Sequence, residues 1–176
     1  MMGSNKISGW SDVFDIVIGE EGGFTNNPED PGNWTGGRMN VGELKGTKFG
    51  ISAAAFPHTD IEGLTIAEAE ALAKIHYWDP YMCDRLPPVV AYLVFDTAYN
   101  GGQPIRWLQR AARVMEDGVL GPKTMAALTS MSPAVISARF MAYRLDYWRS
   151  LDGWKSFSSG WAGRASINLR IIADNL

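Results

Sequence analysis

The stretch from Pro88 to Tyr99 constrains the fold most, because a helix formed there would be apolar on almost every side. Its sequence is PVVAYLVFDTAY, and the proline pair at 87–88 favours a helix start. A helix that is apolar all round belongs in the interior, with other elements packed around it. We therefore predict a helix over about 88–99 at the centre of a helical core.

Two polar residues stand near the end of this apolar helix. Asp96 and Asn100 are one helical turn apart, so they share a face. A buried aspartate must either find hydrogen-bond donors or line a cleft. Both interpretations stay open here: Asp96 lines a cleft, or it makes a structural hydrogen bond to a neighbouring loop.

Start and stop signals predict the remaining elements. Thr65 and Glu68 form a capping box in front of a helix that ends near Trp78. The fold class is therefore mainly α, a single domain of about seven helices with at most a small β-hairpin, expected around Val41–Phe49, and a turn of helix over 50–56. The predicted helices cover about 11–21, 66–78, 88–99, 104–115, a segment from 122, 133–151 and a last segment from 154.

An acidic residue occupies the last position on the apolar face of the first predicted helix. Phe14, Val17 and Ile18 lie on one helical face, and Glu21 is next on the same stripe. Glu20 is about 100° round the helix. Burial and the negative end of the helix dipole would both raise the pKa of Glu21. A protonated carboxylic acid suits general acid catalysis, whereas the alternative is an ordinary solvated glutamate at a helix end.

The helix is followed by a long irregular segment, 24–49, rich in Gly, Asn, Pro, Asp and Thr. Irregular loops longer than about 15 residues in compact domains are usually functional or disordered. This one contains Trp34 and directly follows the candidate acid, so we expect a functional loop.

Composition excludes several classes of function. The net charge is −3, with −6 over residues 1–138 and +3 over 139–176, which suits an anionic polymer such as cell wall and is too weak for nucleic acid. The single Cys83 and the two histidines are widely separated, so we expect no disulfide, no metal site and no cofactor. No apolar run approaches about 18 residues, and the start of the chain has no secretory signal pattern.

Ordered motifs then run along almost the whole chain. They are EGGF at 21–24, DPG at 30–32, TKFGIS at 47–52, HYWDP at 76–80, VFDTAYNGG at 94–102, WLQR at 107–110 and DGVLGPKT at 117–124. This set resembles glycoside hydrolase family 108, lysozyme-like N-acetylmuramidases that include phage endolysins and bacterial secretion activators. The resemblance implies a lysozyme-like fold, a catalytic core over 10–102, and a helical predicted peptidoglycan-binding region over 103–176 packed on it in one compact unit.

The resemblance also implies the chemistry. Its catalytic glutamate matches Glu21, immediately before the glycine pair, as the general acid that cleaves the β-1,4 bond between N-acetylmuramic acid and N-acetylglucosamine. Asp30 is a candidate second carboxylate, although an aspartate before Pro-Gly is also an ordinary turn former. Alternatively, Thr47 positions a nucleophilic water, which would favour inversion. The stereochemical outcome stays open.

This sequence departs from the family pattern in the loop. Asn33 stands where many members have a second glycine, and residues 34–46 resemble an insertion. Thr35 therefore competes with Thr47 as the match for the family's threonine, and Thr47 is preferred because Gly50 and Ile51 follow it at the family's spacing.

Further site residues and a biological role follow from the same resemblance. We expect Trp34, Asp96, Tyr99 and Asn100 to bind substrate in the groove. The expected protein is a monomeric phage or prophage endolysin that is made in the host cytoplasm and reaches peptidoglycan after holin-mediated release, without nucleic acid binding or membrane insertion. The alternatives are a muramidase that activates secretion and a non-catalytic peptidoglycan-binding module.

Overall fold

The computed structural model describes residues 6–18 and 23–176, and within them the chain is mainly helical. Seven α-helices and one pair of short strands confirm the predicted fold class. The elements are α1 Trp10–Ile18, β1 Thr47–Lys48, β2 Ile51–Ser52, α2 Ile66–Ala73, α3 Pro88–Asn100, α4 Pro104–Ala112, α5 Pro122–Thr129, α6 Pro133–Ser150 and α7 Trp154–Asp174.

Packing groups these elements into two compact units. One unit combines residues 6–13 with Tyr77–Leu176, and the other is the continuous segment Phe14–His76. The predicted division into a catalytic core over 10–102 and a peptidoglycan-binding region over 103–176, packed on the core in one compact unit, stays a prediction.

Helix α3 is the centre of the first unit, as its apolar sequence predicts. Every residue from Val89 to Thr97 is buried. Helices α4, α6 and α7 all pack against it. A helix surrounded in this way has no solvent face, which explains why its sequence lacks the polar stripe of a surface helix.

The capping box predicted in front of α2 is present. The Thr65 hydroxyl accepts a hydrogen bond from the Glu68 backbone N–H at 3.3 Å, and Glu68 Oε2 accepts one from the Thr65 N–H at 2.9 Å. The helix continues through a π-helical turn, Lys74–Trp78, and ends where the sequence indicates, just before Pro80.

The strand pair differs in two details from the structure that the sequence predicts. Strand β1 pairs antiparallel with β2, so the hairpin lies over 47–52 and not over 41–49. Its two turn residues, Phe49 and Gly50, have φ values of 52° and 76°, the positive angles of a tight two-residue hairpin turn. The helical turn predicted over 50–56 is wrong at its start, because Ile51 and Ser52 form β2.

Candidate active site

The predicted general acid, Glu21, and its neighbour Glu20 lie outside the described residues. The helix that precedes them is α1, on which Phe14 is 3% exposed. Val17 and Ile18 are half-buried, in agreement with an inward face along 14, 17 and 18. The role of Glu21 stays a prediction.

Backbone hydrogen bonds within the loop that follows give it a defined conformation. Thr25 and Thr47 exchange two backbone hydrogen bonds, 2.9 Å and 2.8 Å between N and O. Trp34 pairs with Leu44 in a second antiparallel bridge. These pairings close the segment 25–47 at its base and again near its middle, so the backbone of this long loop has a defined course.

Asn33 holds separate parts of the loop together by hydrogen bonds, a role that the sequence did not reveal. Its side chain is completely buried. The amide Nδ2 donates to the carbonyl of Asn27 at 3.0 Å, and the amide Oδ1 accepts from the Thr47 hydroxyl at 2.7 Å. Its own carbonyl accepts from the backbone N–H groups of Lys45 and Gly46, both at 3.0 Å. The only sequence signal was that an asparagine stands where a glycine was expected.

Thr47 is therefore held in one orientation. Its hydroxyl proton is used in the bond to Asn33, which leaves the oxygen lone pairs to accept hydrogen bonds. Its backbone is fixed both by Thr25 and by the hairpin with β2. A hydroxyl fixed in this way can orient a water molecule by accepting one of its protons.

Asp30 performs the turn-forming role that the sequence left open. Its Oδ1 accepts a hydrogen bond from the Gly32 N–H at 2.8 Å, capping the short 3-10 helix Pro31–Asn33. The side chain is exposed. The cap uses one carboxylate oxygen and is compatible with either a structural or a chemical role.

Trp34 is half-buried within the same loop. Its indole N–H donates to the carbonyl of Pro28 at 2.9 Å. The polar edge of the ring is used inside the loop, so contact with a sugar would use the face of the ring.

Asp96, in the other unit, lies inside a cluster of charges. The carboxylate is 2% exposed, and it pairs with Arg144 of α6 and Arg164 of α7. Asn168 Nδ2 donates to its Oδ2 at 3.1 Å, and Asn100 Nδ2 donates to its Oδ1 at 3.2 Å. This geometry favours the structural interpretation over the cleft-lining one, and the donors come from helices rather than from a loop.

Two tyrosines accompany this cluster. The Tyr92 hydroxyl donates to Asn168 Oδ1 at 2.7 Å, and burial first, then the charge of Asp96, raises the pKa of Tyr92. Tyr99 packs against Tyr77 and Phe95, with ring centroids 5.1 Å and 5.3 Å away, and burial raises its pKa as well. Both phenols therefore stay protonated at neutral pH, and the Tyr92 hydroxyl acts as a hydrogen-bond donor.

Over residues 6–18 and 23–176, no group of three or more His, Cys, Asp and Glu side chains is arranged to hold a metal ion. The helices in those residues are all too short or too polar to cross a membrane.

Comparison with known families decides the class of protein. Residues 14–102 match the model of the family Glycosyl hydrolase 108, and residues 103–166 match the model Predicted Peptidoglycan domain. The chain belongs to glycosyl hydrolase family 108. This family 108 protein is a lysozyme-like glycoside hydrolase of the muramidase type, and peptidoglycan is its substrate.

A solved structure supports the same fold for this family 108 protein. The chain is similar to the structure of SagA from Brucella abortus, with 28% sequence identity and a TM-score of 0.77. The similarity covers 93% of this chain and 94% of that one. No curated protein sequence matches the chain.

Proposed function

We propose that this family 108 muramidase cleaves the β-1,4 bond between N-acetylmuramic acid and N-acetylglucosamine with Glu21 as its general acid. The observation that carries the proposal is the position of the EGGF motif, 21–24, within the matched region and directly before a loop with a defined backbone. The carboxyl group of Glu21 protonates the departing glycosidic oxygen as the sugar develops oxocarbenium character.

For the group that attacks the sugar we favour a water molecule held by Thr47. The supporting observation is that its hydroxyl is oriented by a buried amide, as a pre-positioned water site requires. Such a water attacks the face opposite to the leaving group in the same displacement and releases its proton to solvent, which gives inversion. Asp30 is the alternative, and a carboxylate acting as nucleophile would instead give retention.

We assign substrate contacts to Trp34, Tyr99 and Asn100. A ring face on Trp34 suits packing against a sugar ring, and the phenol and amide suit hydrogen bonds to acetamido groups. We assign Asp96 a structural role instead of substrate binding, because both of its carboxylate oxygens are engaged. Asn100 and Arg164 contact Oδ1, and Asn168 and Arg144 contact Oδ2.

The assignment of the acid is tested with the pair Glu21→Gln and Glu20→Gln. We expect Glu21→Gln to abolish release of reducing sugars from purified peptidoglycan with unchanged helix content by circular dichroism, and Glu20→Gln to have a mild effect. The reverse pattern would refute the assignment. Mass spectrometry identifies the cleaved bond, and NMR of the first products gives their anomeric configuration, with inversion expected.

For the biological role, we propose a phage or prophage endolysin that acts as a monomer on the wall after leaving the host cytoplasm through holin pores, with neither nucleic acid nor membrane as a partner. The similarity to Brucella abortus SagA supports a second role, wall remodelling that activates secretion. Neighbouring holin and tail genes would support lysis, whereas a neighbouring toxin operon would support secretion. Expression of the protein with and without a holin, followed by turbidity, tests lysis directly.

A further inference from the structure

A cavity of about 390 Å³ opens within the unit Phe14–His76 and has no role in the proposed reaction. Its volume falls in the range of small-molecule sites, roughly 300–1,000 Å³. Three pieces of chain line it: Phe24 and Asn26 on one side, Leu44 and Lys45 on another, and the stretch 58–62 on the third.

The walls of this cavity are tied to one another. Lys45 Nζ donates to the carbonyl of Pro57 at 2.9 Å, and Lys48 Nζ donates to the carbonyl of Glu62 at 2.8 Å. Both bonds join the loop to the segment that carries 58–62. The cavity is therefore largely preformed, and a ligand would not need to order its walls.

The apolar part of the cavity is also fixed. The Phe24 ring lies against the backbone of Gly46, where an added Cβ would stand 2.6 Å from ring atom Cε2. Gly46 has φ of 86°, so the site requires glycine for its conformation as well as for space. Phe24 and Leu44 are each 37% exposed, which gives an open apolar surface, whereas Ile61 is 1% exposed.

Four ionisable side chains, two basic and two acidic, also line the cavity. Lys45 and His58 supply cationic or hydrogen-bond-donating groups, and Asp60 and Glu62 supply carboxylates. Asp60 Oδ1 accepts from the Gly63 N–H at 3.2 Å, which orients that carboxylate. Lys45 pairs with Glu43 at 3.3 Å, but the Glu43 side chain is 76% exposed, so a ligand carboxylate can replace it at little cost.

A neutral sugar ring is bound by hydrogen bonds and an apolar face, and it has no charges to pair with four ionisable side chains of both signs. The stem peptide of peptidoglycan has such charges, because it carries carboxylates and the ammonium group of its diamino acid on one short chain. We propose that this cavity binds the stem peptide, with Lys45 and His58 facing its carboxylates and Asp60 and Glu62 facing its ammonium group. The proposal rests on the proposed action on peptidoglycan and adds that the protein recognises the peptide as well as the glycan.

The test is calorimetric binding of two defined probes. One is the reduced disaccharide N-acetylglucosaminyl-N-acetylmuramitol carrying a tripeptide that ends in diaminopimelate, and the other is the same disaccharide without the peptide. Neither contains the bond that a muramidase cleaves. We expect the peptide-bearing probe to bind about tenfold more tightly, the scale of one charge-assisted contact.

The double variant Asp60→Asn/Glu62→Gln should remove this preference, since the amides keep the shape and lose the charge. Its matched control is Asp152→Asn/Asp174→Asn, which changes the net charge equally at two exposed positions and should keep the preference. Equal affinity of the wild type for both probes, or a preference that survives in the pocket variant, would overturn the inference. Hydrolysis of glycan strands by the wild type is scored separately, so loss of the proposed activity is distinguished from loss of peptide recognition.

Discussion

Asp96 and Arg144 form an ion pair in the interior of the helical unit, with side-chain exposures of 2% and 0%. The guanidinium also lies over the Trp148 ring, 4.6 Å from its centroid. Arg164 meets the same carboxylate from α7. One carboxylate thus joins α3, α6 and α7 and is shared by two arginines.

Asp96→Asn should destabilise the protein strongly, because it leaves Arg144 buried without its counter-charge. Removal of one partner of a buried pair costs about 3–5 kcal/mol. The free energy of unfolding from urea denaturation measures the loss. The control is Asp146→Asn, which breaks the pair with Arg149 in which both side chains are 69% exposed, and it should cost under about 1 kcal/mol. Similar losses for the two variants would show that the buried cluster contributes no more than a surface pair.

Thr47→Val should cost about 1–3 kcal/mol of stability, since Oδ1 of the buried Asn33 then loses its donor. Thr47→Ser keeps the hydroxyl and should recover most of the loss. If Thr47 also orients water, kcat of the valine variant falls even at temperatures where it is fully folded, whereas a purely structural residue would leave kcat unchanged there. Thermal denaturation and initial rates on soluble glycan strands separate the two.

The surface pair of Arg110 and Glu116 predicts a pH effect. Two parallel bonds, Nε to Oε1 at 2.8 Å and an amino nitrogen to Oε2 at 2.7 Å, hold the pKa of Glu116 below its ordinary value of 4.5. A lowered pKa in the folded state means that the stabilisation is present above pH 4.5 and is lost as the pH falls through the folded-state value.

Glu116→Gln should therefore be less stable than the wild type at pH 7, and the two proteins should converge in urea denaturation at strongly acidic pH. In an Arg110→Gln background the same substitution should have little further effect at either pH. A difference that persists in acid would assign the effect of the substitution to something other than ionisation.

The helices were predictable because their signals are local. The apolar run of α3, the capping box of α2 and the proline starts of the later helices each depend on residues within a few positions of one another. The hairpin was misplaced because its turn puts Phe49, a non-glycine residue, at positive φ, for which its identity gives no signal.

The site was less predictable because its contacts are distant in sequence. Asp96 meets partners 48 and 68 positions away, and no pattern in α3 indicates them. Asn33 gains its role only when the loop closes and brings Thr47, 14 positions later, to its amide. The spacing of Glu21 on its helix remains a prediction, since residues 19–22 are outside those described.

The unit around α3 draws on both ends of the described chain, and the Ile7 N–H donates to Asn175 Oδ1 across 168 positions. On the ribosome, the continuous segment Phe14–His76 emerges before the residues that complete the α3 unit. The α3 unit must wait for α7, because Arg164 supplies one of the two positive charges beside Asp96. A chain released before α7 lacks Arg164 and Asn168 beside Asp96, and we expect its α3 unit to be incompletely folded and open to proteolysis.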